Sequence, residues 1–196
     1  YAELEEHEVF PLKTHDEFDH DPMSAVLNAF SKLDKTREGA ALQFVIMPAG
    51  DMYIKRFAKV LDRVKKGEKL SEATDDLREV KQEFKSFTRA LFHKQGTIDK
   101  IEEKEKDTDD RAVENITEKI KSTIVVSNIR IVASADTDQR TKEILSNIES
   151  SFSQFTKANS NGLVFRKVGE KNMDSFLHSF TYRLPNSADA LPLNLK

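Results

Sequence analysis

Seven basic side chains, Lys55, Arg56, Lys59, Arg63, Lys65, Lys66 and Lys69, are opposed only by Asp62 and Glu68 within 15 residues, a local excess of +5. Cations at that spacing can neutralise phosphates along a DNA backbone. The same spacing also suits a solvated helix face balanced by the acidic run that starts at Glu102. His15, Asp16, Asp19, His20 and Asp21 are rich in nitrogen and oxygen ligands, but H-x-x-x-D-H-D matches no established metal spacing. Asp21, directly before Pro22, reads instead as the cap of a helix. None of the six glycines begins a G-x-x-x-x-G-K-[ST] loop or a G-x-G-x-x-G turn, so neither phosphate cradle is present. Ser, His and Asp occur without a G-x-S-x-G elbow, and His178 reads as a packed or surface residue. There is no cysteine, which excludes thiol catalysis and sulfur-ligated zinc. No catalytic residue, cofactor or metal is expected, and the chain by itself is not expected to be an enzyme.

The elements that would position these residues divide the 196-residue chain by charge. From Asp51 to Lys121, 35 of 71 residues are charged, against 30 of the other 125, and all five prolines lie outside this stretch. A proline-free, charge-laced segment is what long exposed helices look like. Leu70, Ala73, Leu77, Val80, Phe84, Phe87 and Leu91 follow steps of three and four, a coiled-coil register that marks a partner seam. Ile54, Phe57, Leu61 and Val64 precede it, and Val113, Ile116 and Ile120 close it. A helix from Ser71 to Lys94 would be about 36 Å long. Three such helices are expected to pack together and project from the rest, with turns at Gly67 and Gln95-Gly96-Thr97.

The flanks resemble each other. Glu8 to Leu12 reads as an edge strand, Pro22 to Leu33 as a helix, and Ala40 to Met47 as a central strand apolar on both faces. Thr123 to Ala135 is β-branched, with Asn128 and Arg130 as polar interruptions. A helix capped by Asp136 or Thr137 follows, then a turn at Asn159-Ser160-Asn161-Gly162, a strand from Leu163 to Val168 and a last helix from about Lys171 to Tyr182. Strand–helix–strand, twice, predicts an α+β, ferredoxin-like antiparallel sheet with two helices on one face and the helical segment inserted between its second and third strands. The competing arrangement is a parallel α/β sheet with the middle helices as crossovers. The expected divisions are 1–50 and 122–184 for the two halves, 51–121 for the insertion and 185–196 for a linker. The third strand carries no aromatic residue, which argues against an RNA-stacking sheet.

Asp21-Pro22-Met23-Ser24, the run from Glu38 to Gly50 (EGAALQFVIMPAG), Ile129 to Ala135 and Phe152-Ser153-Gln154-Phe155 together resemble the region preceding the motor in HerA/FtsK-like ATPases of conjugation and type IV secretion. The likeness covers both flanks and not the charged middle. It implies a non-catalytic N-terminal domain of a DNA-translocating ATPase, whose phosphate-binding motifs would lie beyond the segment equivalent to Leu184. It implies protein partners in a secretion or conjugation apparatus, homo-oligomers through the parent protein, and a cytoplasmic position at the inner face of the membrane. The chain opens at Tyr1, which fits a piece of something longer. No apolar run here is long enough to insert into a bilayer.

Overall fold

The β-branched run is the centre of the molecule. The computed structural model describes residues 1–74 and 109–195. Its strands are β1 (Ala2–Leu4), β2 (Gly39–Pro48), β3 (Ile124–Ser134), β4 (Leu163–Phe165) and β5 (Leu191–Asn194). Its helices are α1 (Pro22–Ser31), α2 (Met52–Lys65), α3 (Leu70–Ala73), α4 (Asp110–Ile120), α5 (Asp138–Ser151) and α6 (Glu170–Thr181), with 3-10 turns at His15–Glu17 and Phe152–Phe155. All three strand pairings are antiparallel, so the parallel alternative does not hold. The architecture is mixed α+β, with a three-stranded sheet ordered β2-β3-β5 and a two-stranded sheet of β1 and β4.

β3 is covered on both faces because successive side chains point opposite ways. Ile124 and Val126 join one core with Phe57, Val60 and Val64 of α2 and Ala112 and Ile116 of α4. Ile129 and Ile131 join a second core with Val26 and Ala29 of α1, Ile144 and Ile148 of α5, and Phe152. α1 starts where Asp21 accepts a hydrogen bond from the Met23 amide at 2.9 Å, beside Pro22 at the first helical position. α5 starts likewise at Thr137, whose hydroxyl accepts from the Arg140 amide. α2 ends at Gly67, which takes φ +80, a left-handed conformation that glycine adopts without a Cβ penalty.

Several expectations need correcting. Glu8 to Leu12 is not a strand; Val9 and Phe10 are buried in the α2/α4 core, and the first strand is Ala2–Leu4. β2 is not central, since among the described residues it pairs only with β3. α2 and α4 do not project; their apolar stripes close against the sheet and each other. Residues 185–195, expected as a linker, carry β5, which pairs with β3 from Ile124 to Ser127. The ladders β1–β4 and β2–β3 are two of the three that a ferredoxin-like sheet requires. β1 lies near β3 without a ladder. Gln95-Gly96-Thr97 and most of the seam, Leu77, Val80, Phe84, Phe87 and Leu91, lie outside the described residues.

Candidate functional site

The basic run sits on α2 and the turn after it, and only part of it faces solvent. Lys55, Lys59, Lys65, Lys66 and Lys69 are exposed. Arg56 leans over the Tyr53 ring, 5.4 Å from its centroid. Arg63 is committed to the fold: its guanidinium pairs with Glu68 and donates to the Ala73 and Glu72 carbonyls, closing the turn into α3. Lys66 pairs with Asp62 at 3.0 Å. Of the seam, Leu70 packs half-buried on the α2/α4 core and Ala73 is buried within it. His15 and Asp16 belong to a 3-10 turn and Asp21 to a helix cap. Among the described residues no cluster of His, Asp or Glu could hold a metal ion. His178 is exposed on α6 and lies against Tyr182 in a tilted contact, 4.7 Å between ring centroids.

Two features that sequence reasoning missed are better placed to act. The first is the outer edge of β2, which no described strand covers. Phe44 and Ile46 are 43% and 60% exposed, although they lie opposite Ile129 and Ser127 on the face that α1 and α5 cover. From Gly39 to Gly50 there is no charged residue. Native edge strands usually carry such charges to discourage pairing.

The second is a polar cleft under α6. Asn128 and Arg130 share a face of β3, and both are fully buried. Asn128 Nδ2 donates to the Asn186 and Asp189 carbonyls at 2.8 and 2.9 Å, and its Oδ1 accepts from the Asn186 amide, fixing the loop before β5. Arg130 Nη1 donates to Gln43 Oε1 and to the Ser179 carbonyl, while Gln43 Nε2 donates to the Phe180 carbonyl. A cation beneath the last turn of a helix suits its dipole. α6 itself buries no residue, and Met173 and Leu177 remain exposed. It is held to the sheet at its C-terminal carbonyls, with a cleft of about 410 Å³ between its inner side, Arg130 and the Asn186–Asp189 loop. Burial pushes the Asp189 carboxyl above its usual range and the Arg130 guanidinium below its own, each held back by the other's charge. The signal for this cleft was present in the chain: Asn128 and Arg130, two apart in a β-branched run, must share a face.

A second cleft, of about 490 Å³, lies between α4 and the Lys157–Asn159 turn. Its lysine is already paired, Lys157 Nζ lying 2.6 Å from Glu118 and 2.8 Å from Glu17. No described helix is long and apolar enough to cross a membrane.

A family model described as a domain of unknown function, DUF8128, matches residues 1–183. No curated protein and no solved structure matches the chain.

Proposed function

We propose that this chain, which belongs to the DUF8128 family, is a non-catalytic assembly domain that pairs with a second copy of itself along β2. The uncharged edge of β2, open among the described residues and with Phe44 and Ile46 exposed beside it, carries the proposal. An open edge recruits a strand through main-chain hydrogen bonds, and exposed apolar side chains add burial. Charge selects a second copy as the occupant. An antiparallel copy centred on the strand sets Lys35 and Arg37, which precede β2, against Asp51, which follows it, and all three are exposed. Arg37 has only an exposed ion pair with Asp136 at 3.5 Å to give up, and such pairs are weak. A two-fold axis makes the match twice.

The resemblance of α1 and β2 to the region preceding the motor of HerA/FtsK-like ATPases supports the same role. In that setting the domain organises subunits of a DNA-translocating conjugation or secretion machine at the cytoplasmic face of the membrane, with other components of the apparatus as further partners. A ferredoxin-like ancestry fits the β1–β4 and β2–β3 ladders, with α2 to α4 as the insertion. Direct DNA contact through Lys55, Arg56, Lys59, Lys65, Lys66 and Lys69 has less support, because Arg63 is committed internally and Lys66 is paired.

Sedimentation of the chain between about 1 and 100 μM tests the pairing. The parent is expected to be dimeric, and the double variant Phe44→Lys, Ile46→Lys monomeric with its helical circular dichroism unchanged. Arg37→Asp should weaken the dimer and adding Asp51→Arg should restore it. A parent that stays monomeric throughout that range sinks the proposal.

A further inference from the structure

Arg130 is the largest fully buried side chain in the described molecule, 1% exposed, and no carboxylate is bonded to it. Its two terminal nitrogens are occupied, Nη1 by Gln43 and Ser179, Nη2 more loosely by Asn128 Oδ1 at 3.5 Å. Its Nε–H is buried with no partner. A buried donor left unmade is costly, more so on a charged group. The carboxyl of Asp189, which lines the same cleft, is turned to Asn186, whose Nδ2 donates to it at 2.7 Å.

The surroundings suit a small polar ligand. The cleft over Arg130 has the size of small-molecule sites and is lined mostly by polar groups, among them Asn172 and Ser175 of α6 and Lys167. α6 opens from Gly169 with no side chain capping its first amides, which leaves donors at the cleft's outer end. α6 buries no residue and is held to the sheet through the Ser179 and Phe180 carbonyls, so it is the element that would move to open the Nε–H edge.

We propose that the cleft beneath α6 binds a small monovalent carboxylate, seated on the Nε–H edge of Arg130, with Asn172 and Ser175 holding the rest of the ligand. A guanidinium edge and a carboxylate match in plane and spacing. Asp189 lines the same cleft as Arg130, Lys167 and the Tyr1 ammonium, and its charge would oppose a second negative charge, as on phosphate. The site does not depend on Phe44 and Ile46, which lie on the other face of the sheet from Gln43 and Arg130.

The test follows the Arg130 Nε–H cross-peak in 15N NMR of the whole chain while acetate, chloride or inorganic phosphate is added at constant ionic strength. Acetate is expected to shift it saturably, phosphate at least about tenfold more weakly, and chloride not at all. Arg130→Gln should remove the signal; because that variant disturbs a buried network, Asn172→Asp, at an exposed helix position, is the companion. It should fold normally and weaken acetate by about tenfold. No saturable shift with acetate, an equal shift with chloride, or tighter binding of phosphate would each overturn the assignment.

Discussion

Raising the pH from 7 to 9 is expected to stabilise this chain by about 2 kcal/mol, the reverse of what a surface lysine would do. The source is Lys119 on α4, which is 0% exposed and donates from Nζ to the Pro192 carbonyl at 2.6 Å. Burial lowers its ammonium to about 7, with the charge of Glu8 pulling the other way. In the unfolded chain the same group keeps its proton to about pH 10. Between those values the unfolded state binds more protons, so stability rises with pH; below pH 7 both states are protonated and this group adds no slope. The gain has a ceiling. Burial raises the Tyr53 hydroxyl to about 12, so above pH 10 the unfolded tyrosine ionises first and stability falls again. Urea titrations at pH 6, 7 and 9 read the effect directly. Lys119→Met should flatten the rise and raise the midpoint at pH 6, since a buried apolar isostere replaces a desolvated charge. Equal slopes in parent and variant would show that Lys119 is not the cause.

The second large effect is expected at Asn161, which is 1% exposed. Its Nδ2 donates to the His7 and Phe10 carbonyls at 3.0 and 3.2 Å, and its Oδ1 accepts from the Glu6 and Gly162 amides at 2.9 and 3.0 Å. Ser160 adds a bond to the Pro11 carbonyl at 2.7 Å. These bonds replace the sheet ladder that the segment around Val9 and Phe10 lacks, and so allow those residues to reach the α2/α4 core. Asn161→Ala leaves several buried backbone groups without a partner and should cost about 3 kcal/mol or more. Asn161→Asp should cost more still at neutral pH, because a carboxylate then faces two carbonyl oxygens, and should recover part of the loss in mild acid. A midpoint for Asn161→Ala within experimental error of the parent's would contradict this role.

How much of this was legible depended on whether an element owes its form to its own residues. β2, β3, α1, α2, α4, α5 and α6 are set by local periodicity, with side-chain caps at α1, α4 and α5, and each was readable from its own residues. β1 and β5 were not. Ala2–Leu4 has no apolar run, and its strand form comes from β4 alone. Leu191–Asn194 contains Pro192, which in sequence argues against a strand and is tolerated here on the edge of the sheet. Direction was harder than type. The apolar stripes of α2 and α4 were plain, but nothing local says whether they close on the sheet or on an outside helix. The same limit hid the cleft: Arg130 reads as an interruption until Gln43, Ser179 and the loop before β5 are brought to it from three distant places.

The shared strand at the centre has a consequence for how the molecule comes apart. Ile124 and Val126 serve one cluster while Ile129 and Ile131 serve the other, so melting either lobe strips one side of β3 and weakens what remains. Calorimetry should therefore record one transition for the described lobes, and the β3 amides should exchange with deuterium only through complete unfolding.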